Sequence, residues 1–172
     1  NVKTVEKVFK AITLGPFRWL NSHVRGTDLP EVYIDIKFKQ FRKLQEIRKE
    51  SLKRGVLITK ESDYVPAKIR YEGRTIKVKM RLKGDWAREP NEKMSFRVHV
   101  KDGDHLFGMR RFSFQSPKAR IYDGDRLFFE AIKREGILAP RHFFVDLTVN
   151  GSKMGIMALE EHFSKELLES QG

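Results

Sequence analysis

Alternation of apolar and polar residues divides much of the chain after residue 30 into short strands. In the range 74–83, the apolar residues Ile76, Val78, Met80 and Leu82 alternate with cations. This two-residue period is typical of a strand with one buried face. The same period recurs along the chain, with turn residues between the runs. It predicts strands near 32–36 and over 65–71, 74–83, 94–100, 111–115, 142–149 and 154–159.

The dipeptide Asn150-Gly151 separates the last two predicted strands. Both residue types tolerate a positive φ, and Asn-Gly is a preferred sequence for a two-residue type I′ turn. The sequence therefore predicts an antiparallel hairpin that reverses at this dipeptide.

Three other stretches have helical character. Range 38–54 is predicted to be a helix that ends at Gly55. Its inward positions are predicted to be Phe38, Phe41, Leu44, Ile47 and Leu52. A short helix is predicted to begin at Phe163.

A central helix is predicted to begin near Asp125 and to stop at Gly136. Leu127, Phe128, Ala131 and Ile132 lie on one face, and Ala131 is expected on the buried side.

Residues 1–24 carry apolar stripes interrupted at Gly15-Pro16, with Trp19 and Leu20 in the second part and basic residues on other faces. Such an amphipathic segment can lie on a membrane surface or pack on the protein's own core, and packing is the favoured interpretation. The chain starts within a helical pattern and ends just after another, so we expect it to be a fragment of a longer protein.

The order of elements predicts an α+β fold preceded by N-terminal helices; the family resemblance described below further implies a twisted, mostly antiparallel sheet with an inserted helix. We divide the chain into an N-terminal helical extension with a short strand, residues 1–64, and a sheet-containing unit, residues 65–172.

Charge is the clearest compositional signal. The chain has 35 basic and 23 acidic residues, a formal net charge of +12, which favours anionic partners. Lys77, Lys79, Arg81 and Lys83 share one face of a predicted strand. This ladder of cations is either a solvated sheet face or a surface that binds anions. The absence of cysteine excludes disulfides and thiolate metal sites.

Several motifs together resemble the CotH family, the spore-coat-protein-H-type atypical protein kinases. The matching segments are REGILAPR at 134–141, VNGSKMGIMALEEH at 149–162, RLKGD at 81–85, KMSFR at 93–97 and LFGMRR at 106–111. Asp85, Trp86 and Met94 depart from the family pattern, which has asparagine, serine and lysine there. The resemblance covers roughly residues 65–165.

This resemblance implies a protein-kinase N-lobe that binds ATP with Mg²⁺ or Mn²⁺ and serves a protein Ser/Thr kinase. Lys93 and Arg97 are the implied phosphate-side cations, and Glu130 is the helix carboxylate that would hold them. Leu159, Glu160 and Glu161 fall where the hinge should lie. The catalytic groups are expected beyond Gly172, so the chain alone is expected to be inactive and prone to self-association through its uncovered surface.

A second hypothesis is a non-catalytic basic module that binds polyanions such as nucleic acid, polyphosphate or an acidic membrane surface. The aromatic residues recur at the spacing of buried positions rather than alternating with exposed cations, which weighs against binding of single-stranded nucleic acid.

The five histidines show no metal-binding spacing, so no metal ligands are predicted within the chain. The phosphoryl acceptor and the compartment stay open, and a cell-envelope or membrane location is one hypothesis for the compartment.

Overall fold

A computed structural model describes residues 29–84, 93–120 and 122–171. The helices predicted within residues 1–24 and the departures from the family pattern at Asp85 and Trp86 lie outside the described residues.

Seven strands close into a barrel in the order β1-β2-β3-β4-β5-β7-β6. The strands are β1 (Glu31–Asp35), β2 (Val65–Tyr71), β3 (Arg74–Lys83), β4 (Ser95–Val100), β5 (Arg111–Gln115), β6 (His142–Val149) and β7 (Ser152–Glu161). All neighbours are antiparallel except β1 and β6, which pair in parallel. The predicted α+β class and mostly antiparallel pairing are thus confirmed, but the sheet closes into a barrel that the sequence did not predict.

The parallel pair β1–β6 is what closes the barrel, with Glu31 opposite Asp146 and Ile34 opposite Val149. The boundary between the N-terminal extension, residues 1–64, and the sheet-containing unit, residues 65–172, stays a prediction. Within the described residues, β1 of the first part pairs with β2 and β6 of the second.

The interior of the barrel is apolar because alternate residues of every strand point into it. On β4 and β5, Phe96 lies opposite Phe114 and Val98 lies opposite Phe112. All four are completely buried, and the Phe112 and Phe114 rings meet edge to face at 5.5 Å between centroids. The inward positions predicted for β3 (Ile76, Val78, Met80 and Leu82) are buried as well.

Helix α1 (Phe38–Arg54) packs on β2 and β3, mainly through the fully buried Leu44. Its predicted bounds are confirmed, and Gly55 ends it in the left-handed conformation with φ 75°. Phe38 was predicted to point inward, but it is 75% exposed and lies near Arg42. It stands in the first turn of the helix, on a side that faces solvent.

Helix α2 (Gly124–Arg134) is the predicted central helix, and it packs on the outer surface of β6. Phe129 makes this contact, with its ring centroid 5.9 Å from that of His142. The stripe formed by Leu127, Phe128 and Ala131 faces away and is exposed. The expectation that Ala131 is on the buried side is therefore wrong.

A short helix, α3 (Lys165–Gln171), ends the described chain and buries Leu167.

The hairpin between β6 and β7 turns at Asn150 and Gly151, whose φ values of 48° and 77° match the predicted type I′ turn. The Asn150 side chain also accepts a hydrogen bond from the Ile36 backbone N–H at 2.7 Å, and the Asn150 N–H donates to Ile34. The turn therefore also anchors the end of β1.

Replacing Gly151 with valine should lower the free energy of unfolding by about 1–3 kcal/mol, because valine would be forced to a positive φ. A Cβ added at Gly151 meets no atom within 4 Å, so the cost would come from the backbone conformation alone. Chemical denaturation would measure it, with Ser152→Val on the adjacent exposed strand position as the control. Equal stability of the two variants would contradict the turn assignment.

Candidate anion-binding site

The cross-strand register brings polar residues from five strands into one row on the outer surface of the barrel. Arg81, Arg97, Ser113, Glu160 and His142 are successive partners across β3, β4, β5, β7 and β6. They lie outside because their neighbours along each strand fill the apolar interior. We use the term polar face for four residues of this row and three residues beside them. The four are Arg81, Arg97, Ser113 and Glu160, and the three are Lys83, Gln115 and His162.

Arg97 is at the centre of the polar face, opposite Arg81 on one side and Ser113 on the other. Its side chain is partly buried, and its Nε atom is buried without a hydrogen-bond partner among the described residues. The same is true of the Nε atom of Arg81, although another nitrogen of that guanidinium donates to the Leu82 carbonyl at 3.3 Å. Since an unpaired buried donor on a charged group is costly, this arrangement indicates a place for an anion.

One carboxylate lies within the polar face. Glu160 Oε2 is 3.6 Å from Lys83 Nζ and accepts a hydrogen bond from the side-chain amide of Gln115. The side chains of Lys83 and Glu160 are only 19% and 14% exposed. Among the described residues, the polar face thus has three basic side chains, Arg81, Lys83 and Arg97, and one acidic side chain, Glu160, which contacts Lys83.

His162 is a partly buried member of the polar face. Its Nε2 lies 2.6 Å from the hydroxyl of the fully buried Ser113. Burial, and next the charges of Arg97 and Lys83, lower the pKa of His162 from 6.5 to about 4. The ring is thus neutral at pH 7 and leaves the cations of the polar face as its dominant charges.

The sequence-predicted cations occupy different environments. Arg97 is central, whereas Lys93 is exposed and donates from Nζ to the Ile156 carbonyl at 3.0 Å. Glu130 is exposed on α2, and the described residues show no ion pair between it and either cation. Among the described residues, the carboxylate that contacts the lysine of the polar face, Lys83, belongs to Glu160.

The three predicted hinge residues on β7 also differ. Leu159 is completely buried in the core, opposite Phe114 and Phe143. Glu160 belongs to the polar face. The backbone of residues 159–161 pairs with β5 on one side and β6 on the other, so its hydrogen-bonding groups are largely engaged within the sheet.

Glu161 is 1% exposed and binds Arg141 through two hydrogen bonds, Nη2 to Oε1 at 2.6 Å and Nε to Oε2 at 2.8 Å. Arg141 also donates to the carbonyl oxygens of Phe107 at 2.9 Å and Gly108 at 3.1 Å. This pair therefore joins the start of β6, the end of β7 and the loop before β5.

Sequence reasoning missed Ser113, Gln115 and His162 as parts of this site. The available signal was the run RFSFQ at 111–115, where polar residues alternate with two phenylalanines.

Within the described ranges, no cluster of three or more acidic or histidine side chains is arranged to hold a metal ion. None of the described helices has both the length and the apolar character needed to cross a bilayer.

No curated protein matches the chain. A family model described as CotH kinase protein matches residues 80–172, just over half of the chain. The matched range begins within β3 and so contains every residue of the polar face. The chain therefore belongs to the CotH kinase protein family.

Proposed function

We propose that the polar face binds the phosphate groups of ATP, and that the full protein transfers the γ-phosphoryl group to a protein serine or threonine. The observation that carries this proposal is Arg97, whose buried Nε lacks a partner among the described residues at the centre of a cationic surface. Family membership supports a nucleotide as the anion.

The position of α2 supports the comparison with a kinase N-lobe. The chain runs from β5 through α2 to β6 and β7, and α2 packs on the outer side of the sheet, which also carries the polar face. In a kinase the inserted helix lies beside the phosphate-binding lysine; here α2 contacts β6, whose His142 is the cross-strand partner of Glu160. We propose Lys83 and Glu160 as the lysine–carboxylate pair, in place of a pair that uses Glu130.

The residues present fit a polyphosphate better than they fit a metal ion. Arg81, Lys83 and Arg97 would hold phosphate oxygens, since charge-assisted hydrogen bonds from arginine suit such groups. Mg²⁺ or Mn²⁺, which kinases generally use, would neutralise charge on the transferred phosphoryl group. Glu160 is the acid of the polar face, and Lys83 and Gln115 already contact it.

Arg97→Met should weaken the binding of labelled ATP in the presence of Mg²⁺ about tenfold, because a hydrogen bond to a charged group contributes about 1.5–3 kcal/mol. The methionine keeps the aliphatic stem and removes the unpaired donor, so the fold should be at least as stable as wild type. Lys93→Met is the matched comparison, and a smaller effect is expected because Lys93 already donates to Ile156. Lys77→Met, whose lysine pairs with Asp102 at 3.1 Å, should leave ATP affinity unchanged.

The same titration separates the nucleotide hypothesis from the general polyanion hypothesis. Lys77 and Lys79 of the cationic ladder pair with Asp102 and Glu61, which reduces the charge available to an extended polymer. We therefore expect ATP to bind with a weaker salt dependence than a labelled oligonucleotide. Equal loss of ATP affinity in the Arg97 and Lys77 variants would favour a diffuse polyanion surface and contradict the proposal.

A further inference from the structure

Tyr64 lies at the end of the polar row, beside Arg81. Val65 on β2 pairs with Met80 on β3, so the residue before Val65 comes next to the residue after Met80. Val65 is completely buried, and alternation along the strand therefore places Tyr64 on the outer surface, where it is partly buried. Tyr64 precedes the range that the family model matches, so the family comparison gives no sign of this neighbour.

The aromatic ring of Tyr64 contacts the Arg81 guanidinium. The Arg81 Cζ atom lies 5.3 Å from the ring centroid, within the range of a cation–π interaction. The Tyr64 hydroxyl lies 3.2 Å from His99 Nε2, which fixes the ring against β4. Lys79 Nζ is also over the ring, 4.6 Å from its centroid. Tyr64 thus joins two basic side chains of β3 to a histidine of β4.

The backbone next to Tyr64 is itself held in place. Tyr64 follows a 3₁₀ turn, Glu61–Asp63, and its N–H donates to the Glu61 carbonyl at 3.3 Å. Lys43 of α1 donates from Nζ to the Ser62 carbonyl and so ties the turn to that helix. The ring is therefore a fixed surface for Arg81, and it does not have to be ordered when a ligand binds.

A second arginine–tyrosine pair shows what is particular to Arg81. Arg70 Cζ lies 5.2 Å from the Tyr33 ring centroid, but Arg70 also donates to both carboxylate oxygens of Asp35, at 2.6 and 3.3 Å. In the described part of the chain Arg81 forms no salt bridge, and its buried Nε has no hydrogen-bond acceptor. An aromatic ring orients a guanidinium and leaves its charge in place, whereas a carboxylate also neutralises it.

We propose that Tyr64 is a positioning residue of the anion site, which holds the Arg81 guanidinium in place for a phosphate group of ATP. This inference rests on the proposed function of the polar face. Without the ring, the long Arg81 side chain would have to be ordered at the moment the anion binds, and that ordering lowers affinity. Tyr64 acts through Arg81 and needs no contact of its own with phosphate.

Binding of labelled ATP with Mg²⁺ to the full chain tests this role. Tyr64→Leu should weaken binding about twofold to tenfold, the cost of ordering one long side chain, whereas Tyr64→Phe keeps the ring and should retain wild-type affinity. Arg81→Met should weaken binding about tenfold, and Tyr64→Leu should have no further effect in that background. Tyr33→Leu, which removes the same ring contact from Arg70, is the matched control and should leave affinity unchanged.

The outcomes separate this inference from the proposed function. Loss of affinity in Arg81→Met with none in Tyr64→Leu would overturn the positioning role and leave the nucleotide site in place. Unchanged affinity in both Arg81→Met and Arg97→Met would contradict the site and the inference together. A further loss from Tyr64→Leu in the Arg81→Met background, or an equal loss in Tyr64→Phe, would show that Tyr64 acts through another group and overturn the inference.

The stability of the variants is measured alongside their affinity. Far-UV circular dichroism checks that each variant folds, and Tyr64→Met, with its longer side chain, replaces Tyr64→Leu if that protein unfolds. A purely structural role for Tyr64 predicts a loss of stability with normal ATP affinity in the folded protein, and that result would also contradict the inference.

Discussion

Replacing Glu161 with alanine should lower the free energy of unfolding by about 2–3 kcal/mol, since it removes the charged acceptor of two hydrogen bonds from the partly buried Arg141 guanidinium. Glu161 is 1% exposed and accepts two short hydrogen bonds from the Arg141 guanidinium. The loss would extend beyond this pair. Arg141 also holds the carbonyl oxygens of Phe107 and Gly108, and its Nη1 lies 2.8 Å from where a Cβ on Gly108 would stand.

Chemical denaturation of three variants would measure this effect. Arg141→Ala should cost a similar amount, because it leaves the Glu161 carboxylate buried and unpaired. The double variant Arg141→Met with Glu161→Leu should be more stable than either single variant, since it removes both charges and keeps apolar volume. Arg126→Ala, which breaks the more exposed pair with Asp123, is the matched control and should cost less than about 1 kcal/mol.

A loss below about 1 kcal/mol for Glu161→Ala would show that the pair is not buried as described. A normal stability combined with weakened ATP binding would instead assign the Glu161 side chain to nucleotide binding. The two roles are therefore separable in one set of variants.

The positions of the strands could be predicted because alternation is a local property of the sequence. The bounds of β2, β3, β5 and β6 agree with the predicted ranges, each being limited by a turn or a change of period. Closure of the barrel could not be predicted in this way. It depends on pairing between Glu31 and Asp146, and no local pattern states which distant strands become neighbours.

The two helices show a second limit of periodicity. The pattern indicated an apolar face on α2, but it could not tell whether other residues cover that face. The structure uses Phe129 for the contact with β6 and leaves Leu127 and Phe128 exposed. Phe38 on α1 is a similar case, since its spacing matches the buried face but its side chain is exposed.

The candidate site could be predicted only in part for a related reason. The cationic ladder and Arg97 were visible because each lies within one strand. The contacts of Lys83 with Glu160 and of Ser113 with His162 depend on the register across β4, β5 and β7. The sequence places the members of each pair at least 49 residues apart, so it carries no direct sign of their proximity.

Lowering the pH from 7 to 4 should destabilise the wild-type chain more than a His162→Gln variant. Burial first, and then the charges of Arg97, Lys83, His99 and Arg111, lower the pKa of His162 to about 4 in the folded chain. In the unfolded chain, the pKa returns to about 6.5. Above pH 6.5 both states are neutral and His162 has no effect. As the pH falls from 6.5 to 4, the unfolded state takes up a proton that the folded state does not, so stability is lost.

A difference of 2.5 pH units corresponds to at most about 3.4 kcal/mol, and screening by solvent around the half-buried ring reduces this to about 2 kcal/mol. Denaturation curves at several pH values would measure it. The glutamine can keep a hydrogen bond to Ser113, while carboxylates that titrate in the same range contribute equally to both proteins. His105→Gln, at an exposed loop position, should follow the wild-type pH profile. Parallel profiles for wild type and His162→Gln would contradict the prediction.

The same measurement tests the charge of the polar face without any nucleotide. Arg97 is the largest of the charges that act on His162, so Arg97→Met should raise the pKa of His162 and reduce the acid sensitivity of the folded state. In the double variant with His162→Gln, Arg97→Met should have little further effect on the pH profile, because the titrating group is gone. Arg97→Met could instead change the pH profile of stability equally in the wild-type and the His162→Gln proteins. In that case Arg97 does not act through His162, and the polar face is less positive than the geometry indicates.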